Sequence, residues 1–392
     1  MDNFIVFEVL SNRVVPIGII ENFVSLMYTD YYNDTGSFEL EIPFSTTSFN
    51  LLKRSNDKEK LILLDNRFSV PVFGICHKVC PQNSTDKKTI SVQGTLIEGL
   101  LDNYSVGKIE RLKTASTSPQ NLLNFPLSLQ YELQNLPDNI SGDFWSGITY
   151  NLPSDYQDSS WEFPDGFLGG QCTFNDYIGE CSRQLKKGYC LEYNKQAENF
   201  ALKLYSPKDR TLSQQTNSPV LISTQFGDVI SSQYYLNSKN YKNIIVAHTT
   251  LDDTYYEQVV TYDDMTSAYP TEKKRVAYKD IVEVTQYDES GQELSSDDIN
   301  GLLRQFGKKY LYEAELCSEY SCKLSQDTKY KYRVDYQLGD KITIQDTELG
   351  VIIDACVSGC AVTISRSINT FEPIIGVSQP SLTRILKQKG MV

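Results

Sequence analysis

Apolar and polar residues alternate along the first hundred positions in a pattern that predicts short β-strands. In the strand that ends at Pro43, the apolar positions are Phe38, Leu40 and Ile42, and the polar positions between them are Ser37, Glu39 and Glu41. Because successive side chains of a strand point to opposite faces, we expect the apolar three to be buried and the polar three to be exposed. Val24, Leu26 and Tyr28 alternate in the same way before a turn at residues 33–36, so an antiparallel hairpin is predicted within residues 18–43.

Similar patterns predict the remaining elements. Further strands are predicted at residues 4–9, 14–20, 60–64, 68–76, 89–93, 188–193, 200–205, 221–224, 229–236, 243–248, 350–354 and 361–366, and a strand, a turn and a second strand at 332–344. Helices are predicted at 46–54, 96–101, 174–185 and 296–309, the last with Ser296 or Asp297 as N-cap and with Ile299, Leu302, Leu303 and Phe306 on one side. The predicted fold class is mainly β with α+β inserts.

A chain of 392 residues is too long for one ordinary core, and the pattern predicts several domains. We expect two small antiparallel β-barrel-like domains together with peripheral mixed domains. The predicted divisions are a first barrel-like domain at 1–103, an α+β insert at 104–218, a second barrel-like domain from 219–250 and 308–372, an acidic insert with a helix at 251–307, and a basic tail at 373–392.

Composition and charge indicate which kinds of molecule the protein is unsuited to bind. The 26 Tyr and 17 Phe favour strands, and the net charge of -13 argues against a general affinity for nucleic acid or anionic membranes. Residues 251–300 hold 13 acidic and four basic residues, for which a solvated surface is the simplest explanation. The tail is different, because it carries Arg384, Lys387 and Lys389 and has no acidic residue after Glu372.

Cysteines are the first candidate chemistry. The N-terminus lacks a basic region followed by an apolar run, and no apolar segment is long enough to cross a membrane, so we expect folding in a reducing cytoplasm with mostly free thiols. The cysteines and the histidine that lie close in sequence are Cys76, His77 and Cys80, then Cys317 with Cys322, and Cys356 with Cys360. Cys76 and Cys80 on one strand would be about 13 Å apart, too far to share zinc. If residues 357–359 form a hairpin loop, Cys356 and Cys360 come within disulfide reach, although we expect them free.

Two functional classes have to be weighed against a purely structural role, namely an enzyme and a sugar-binding module. His77 and His248 lie in strand patterns, and none of the common nucleophile, zinc-protease or phosphate-binding motifs occurs. The adjacent carboxylates that a glycosidase reading would use are Asp252–Asp253, Asp263–Asp264 and Asp297–Asp298, and the aromatic residues that a sugar-binding reading would use are Trp145, Trp161, Tyr150 and Tyr156. Neighbouring strand residues face opposite ways, so these carboxylate pairs are poor candidates for a glycosidase. Together with the missing motifs, this leads us to expect no catalytic, cofactor-binding or metal-binding residues.

The order of two motifs resembles a known family. An opening strand, Gly-Ile-Ile-Glu-Asn-Phe at 18–23, a Tyr-rich strand and Gly-Ser-Phe-Glu-Leu-Glu-Ile-Pro at 36–43 are followed much later by Asp-Tyr-x-Leu-Gly-Asp-x-Ile-x-Ile at 335–344 and Phe-Glu-Pro at 371–373. In this order and at this length they resemble siphophage tail hub proteins, the N-terminal part of tail-associated proteins.

The resemblance implies a structural role in the virion, at the tail tip or baseplate, after assembly in the host cytoplasm. It implies a homotrimer in which two barrel-like domains per chain form a pseudo-sixfold ring. The implied partners are the distal tail protein or tail tube ring, the tape measure protein, and tip or receptor-binding proteins. Genome DNA would pass through without specific binding, with no membrane insertion and no cofactor. We further expect acidic residues of the barrels to face the axis, the basic tail to face outward or a neighbouring ring, and cell-wall cutting to belong to other proteins.

Overall fold

A computed structural model describes residues 3–10, 13–53, 59–83, 88–103, 148–150, 173, 175–176, 178–179, 182, 187–261, 274–282, 284–287, 293–314, 317–325, 328–365 and 369–376. The mainly β class is confirmed. Two compact units are present: the described residues up to 233 and from 320 to 376 form unit one, and those from 234 to 319 form unit two. Among the described helices, none combines the length and the apolar composition needed to cross a bilayer.

Most of the predicted elements are present, together with six strands that the sequence pattern did not predict. The strands are β1 (Phe4–Val9), β2 (Val14–Ile20), β3 (Ser25–Tyr31), β4 (Asp34–Pro43), β5 (Lys60–Asp65), β6 (Val72–Asn83), β7 (Lys88–Leu96), β8 (Ile148–Tyr150), β9 (Gly188–Asn194), β10 (Asn199–Tyr205), β11 (Asp209–Arg210), β12 (Leu221–Ser223), β13 (Val229–Asn237), β14 (Ile244–Leu251), β15 (Thr254–Thr261), β16 (Val276–Asp280), β17 (Cys317–Leu324), β18 (Lys341–Asp346), β19 (Val351–Ser365) and β20 (Asn369–Gly376). The α-helices are α1 (Thr46–Leu52) and α2 (Ser296–Glu313), and 3-10 helices lie at Ile97–Asn103 and Thr224–Phe226. The predicted helix at 174–185 lies largely outside the described residues.

One large sheet joins the two ends of the chain. Its order is β13-β17-β20-β19-β3-β4-β7-β6-β5-β1-β2, and β18 pairs with β19, β11 and β12. This order is open, so the described strands do not close into the expected barrels. The reason is that β19 hydrogen-bonds directly to β3, which extends the N-terminal strands sideways instead of returning them on themselves. The domain boundaries drawn from the sequence stay a prediction.

The hairpin at residues 25–43 confirms the predicted buried face, except that Val24 lies before β3 and is 42% exposed. Phe38 is 4% exposed, and Leu40 and Ile42 are fully buried. The turn is shorter than predicted, because Tyr31 already pairs with Asp34 and β4 begins there. Asn33 has a φ of 57°, a left-handed conformation that Asn adopts more readily than most residues and that permits this tight turn.

Two predictions near the C-terminus are wrong. Residues 332–336 form a compact turn rather than a strand, in which the Arg333 amide donates to the Tyr336 carbonyl. Tyr332 and Tyr336 are both buried, a four-residue spacing that a turn satisfies. The strands predicted at 350–354 and 361–366 are one strand, β19. It pairs first with β18 and then with β3 and β20, and a bulge between Val357 and Gly359 marks the change of partners.

Unit two is a three-stranded sheet, ordered β15-β14-β16, with α2 against one face. Ile299, Leu303 and Phe306 of α2 are buried there, as predicted. A Cβ atom on Gly307 would lie 2.5 Å from a Val260 methyl group, so the helix approaches the sheet closely at that point. The N-cap prediction is off by one residue: the Ser295 hydroxyl accepts a hydrogen bond from the Asp298 amide at 3.2 Å.

Candidate functional site

The outward side of the large sheet carries an open polar surface on β19, β3, β4, β7 and β6. Two rows of directly paired residues cross it, Thr363–Met27–Glu39–Gln93–Lys78 and Ser365–Ser25–Glu41–Ser91–Cys80. We call these ten residues the polar sheet face. Two shallow grooves run over it, and Glu39 and Gln93 line both.

Strand alternation produces this face. The same strands bury Leu26, Leu40 and Val92 completely on their other side. On the open side, the Glu39 carboxylate accepts hydrogen bonds from the Ser91 hydroxyl at 3.2 Å and from the Gln93 side-chain amide at 3.1 Å. The strands therefore hold hydroxyl, amide and carboxylate groups in fixed positions against the solvent.

On the buried side of the sheet, an ion pair connects β3 to the turn at residues 332–336, here called the C-terminal turn. The Asp30 carboxylate accepts a hydrogen bond from the Tyr332 hydroxyl at 3.0 Å and contacts the Arg333 guanidinium, which also donates to the Val70 carbonyl at 3.0 Å. Burial alone would lower the pKa of Arg333, but the Asp30 charge raises it well above its ordinary value. Arg333 therefore stays charged, and its contact with Asp30 links residues 303 positions apart.

A second buried carboxylate explains the Gly-Asp step of the later motif. Asp340 is fully buried and accepts hydrogen bonds from the Lys208 amide at 2.7 Å, the Gln337 amide at 3.2 Å and the Arg210 side chain at 2.9 Å. Gly339 before it has a φ of 84°, and a Cβ there would lie 2.4 Å from the Tyr32 ring. This step thus joins β11, β18 and the hairpin turn.

Two more acidic groups lie behind the sheet. Asp65 is fully buried, contacts the Arg67 guanidinium at 2.6 Å and accepts from the Tyr28 hydroxyl at 3.1 Å. Glu98, in the 3-10 helix, accepts from the Leu191 amide at 3.4 Å. Burial raises the pKa of Glu98 to about 7, and the nearby Asp30 charge adds to the shift.

The cysteines weighed as zinc ligands from their spacing lie in strands β6, β17 and β19. Cys76, Cys80, Cys322, Cys356 and Cys360 are free thiols. Burial raises the pKa of Cys76, Cys322 and Cys356 to about 12, which makes their thiolates scarce at neutral pH. Within the described part of the chain, no group of three or more His, Cys, Asp or Glu side chains is placed to hold a metal ion.

The loop proposed between Cys356 and Cys360 does not exist, because both residues belong to β19. The Cys356 thiol lies 3.3 Å from the Gly339 carbonyl, and Cys360 is fully buried. The thiols therefore pack within the strand layer instead of facing each other across a turn.

The histidines occupy strands, as expected. His77 is the extra residue of a bulge in β6, with its Nε2 atom 2.9 Å from the Thr95 hydroxyl. His248 lies on β14 of unit two, directly between Glu257 and Asp280 of the neighbouring strands.

The described carboxylate pairs shape the backbone. Asp252 and Asp253 form the turn between β14 and β15, with φ values of 43° and 61°. Asp297 and Asp298 lie in the first turn of α2, where negative charge favours the helix. Asp263, Asp264, Trp145, Tyr156 and Trp161 lie outside the described residues, and of Tyr150 only the backbone, in β8, is described.

Sequence reasoning missed the buried aspartates Asp30, Asp65 and Asp340, each of which forms an ion pair with an arginine. One signal was available, since Asp30 falls on the same alternating row as Leu26 and Tyr28. A carboxylate in a buried row requires a partner. Its partner Arg333 is too distant in sequence to identify from the pattern.

Comparison with known proteins places this geometry in context. Residues 170–377 match the family described as Siphovirus ReqiPepy6 Gp37-like protein. The 43 kDa tail protein of prophage MuSo2 from Shewanella oneidensis has a TM-score of 0.55 at 9% identity, over 96% of this chain and 98% of that one. The tail protein from Neisseria meningitidis MC58 has a TM-score of 0.51 at 14% identity, over 95% and 96%.

A similar fold occurs in a Francisella PdpA–VgrG complex, with a TM-score of 0.51 at 10% identity over 97% of this chain and 54% of that one. At these identities the likeness concerns the fold alone. None of the curated proteins matches the chain.

Proposed function

Since the chain belongs to the Siphovirus ReqiPepy6 Gp37-like protein family, a family of phage tail proteins, we propose that it is the hub of a phage tail. Three copies form a ring at the distal end of the tail, in the virion, after assembly in the host cytoplasm. The ring joins the tail tube or distal tail ring to the tip. Its role is structural, and the segments 1–103 and 219–250 with 308–372 supply the two hub domains of each chain.

The observation that carries the proposal is the polar sheet face. A passage for DNA must not bind phosphates, and duplex DNA carries about one negative charge per 1.7 Å of its axis. The charged residues of the face are Glu39, Glu41 and Lys78, so cations are sparse on it. Facing the axis of a ring, this surface would repel or ignore the phosphates and let the genome slide.

The buried ion pairs support the same role. Arg333 and Asp30 tie the C-terminal turn to β3, and Asp340 ties β18 to the segment at 208–210. Breaking such a buried pair is costly. A sheet fastened at several points in this way suits a ring that must keep its shape while DNA passes.

The partners follow from the position of the ring. On one side we expect the distal tail protein or tail tube ring and the tape measure protein, and on the other the tip or receptor-binding proteins. The Francisella structure contains a similar fold within a complex of named partners, which supports assembly into a larger machine.

The mass of the protein in solution tests the ring. A stable particle of three times 44.6 kDa is expected at micromolar concentration. A clean monomer over that range would count against the hub. A reconstruction of the trimer then tests the passage: the polar sheet face should line an axial channel, and a lumen lined mainly by Lys and Arg would overturn that assignment.

A further inference from the structure

The sheet of unit two has a second face, on the side away from α2, whose outer strands β15 and β16 are open to solvent. Its four cross-strand rows are Tyr255–Thr250, Glu257–His248–Asp280, Val259–Val246–Tyr278 and Thr261–Ile244–Val276. We call this set the outer face of unit two.

Large apolar groups stand open on this face. Tyr255 is 56% exposed, Val259 54% and Tyr278 68%, around Val246, which is 5% exposed at the centre of the face. On the other side of β14, Ile245 and Ala247 are fully buried. Exposed apolar groups on two strands of one small sheet are typical of a surface that binds a partner, and less typical of a surface that contacts only solvent.

The polar groups of the face indicate the chemistry of the partner. The His248 ring lies between the rings of Tyr255 and Tyr278, with centroids 5.6 and 6.4 Å away. Glu257 and Asp280 are the strand neighbours of His248: the Glu257 carboxylate accepts a hydrogen bond from the Tyr255 hydroxyl at 2.7 Å, and Asp280 lies 3.9 Å from the His248 ring. Among the described residues, neither carboxylate has an ion pair with a lysine or arginine. Tyrosine rings and carboxylates both attract cations, so the face suits a partner with cationic and aliphatic side chains.

The chain itself contains a segment of this composition. Residues 382–389 carry the cations Arg384, Lys387 and Lys389 and the aliphatic residues Leu382, Ile385 and Leu386, without an acidic residue, in a chain whose net charge is -13. We infer that residues 382–389 of this chain bind the outer face of unit two. Their cations lie against the tyrosines and carboxylates, and their aliphatic groups cover Val259 and Val276. The inference does not depend on the hub assignment.

Photo-cross-linking of the full chain tests the contact. p-Benzoylphenylalanine replaces Tyr278, and in a matched control it replaces Phe226, which is also 68% exposed but lies in unit one. After irradiation, peptides from residues 377–392 should dominate the cross-links from position 278, at a several-fold higher yield than from position 226. Equal yields, cross-links to other surfaces, or no cross-link would overturn the inference.

Charge exchange tests the specificity. Glu257→Lys with Asp280→Lys should lower the cross-link yield at least fivefold, and Arg384→Glu with Lys387→Glu and Lys389→Glu in the same chain should restore it. Glu293→Lys with Asp297→Lys, which changes exposed acidic residues elsewhere in unit two, should leave the yield unchanged. An equal loss in this control would show only general charge attraction and would overturn the inference. Thermal melting of each variant confirms that it is folded.

Discussion

The two units use their carboxylates in opposite ways. In unit one, Asp340 is fully buried and holds the Arg210 side chain at 2.9 Å. In unit two, the Asp280 side chain is 65% exposed and lies beside His248 on an open sheet face. Buried carboxylates fasten distant parts of a chain, whereas exposed ones decide what approaches its surface. The net charge of the chain therefore does not show what the carboxylates of either unit do.

The two sides of β4 give the largest expected effect. Leu40→Asp places an unpaired carboxylate in the core of unit one and should lower the free energy of unfolding by about 4 kcal/mol. Ser37→Asp adds the same group on the exposed side of the strand and should change it by less than about 0.5 kcal/mol. Denaturant unfolding measures both, and a Leu40→Asp protein as stable as wild type would refute the register.

The second largest effect is expected from removing a buried carboxylate of unit one, compared with an exposed carboxylate of unit two. Asp340→Ala leaves Arg210 without its buried partner and should cost about 3 kcal/mol of unfolding free energy. Asp280→Ala should cost less than about 0.5 kcal/mol, because its side chain faces the solvent. Similar losses in the two variants would mean that burial does not separate the roles. Adding Arg210→Met to Asp340→Ala should recover part of the loss.

The smallest effect is the pH response of Glu98. Its pKa in the folded protein is raised to about 7 from an ordinary 4.5, so between these values the folded state binds more protons than the unfolded state. Stability from this group therefore falls as pH rises through that window. Glu98→Gln should match wild type below pH 4.5 and exceed it by roughly 2 kcal/mol at pH 8.

Thermal melting at both pH values measures this difference. Glu348→Gln, which changes an exposed residue of unit one, serves as the control and should show no such difference. A constant gap between Glu98→Gln and wild type across the range would show a packing effect in place of the titration.

Local patterns predicted the local features well. The burial of Leu40 and the α2 face with Leu303 are periodic, so each follows from nearby residues alone. The turn at 332–336 resembles a strand in the sequence, because Tyr332 and Tyr336 are residues typical of strands. Only the structure shows that the chain turns here and buries both tyrosines. The single strand β19 was divided in two because the Ser358-Gly359 step resembles a turn, while its pairing partners lie far away in sequence.

The sequence by itself determined the mainly β class, the exposed and buried faces of the hairpin, the strand positions of both histidines and the family. Only the tertiary structure decided that β3 pairs with β19, that Asp30 meets Arg333, and that Tyr255, His248 and Tyr278 lie side by side. The physical reason is the separation along the sequence of the residues that interact. Alternation and capping depend on residues a few positions apart, whereas strand partners and ion pairs join segments whose separation along the chain leaves no periodic signal.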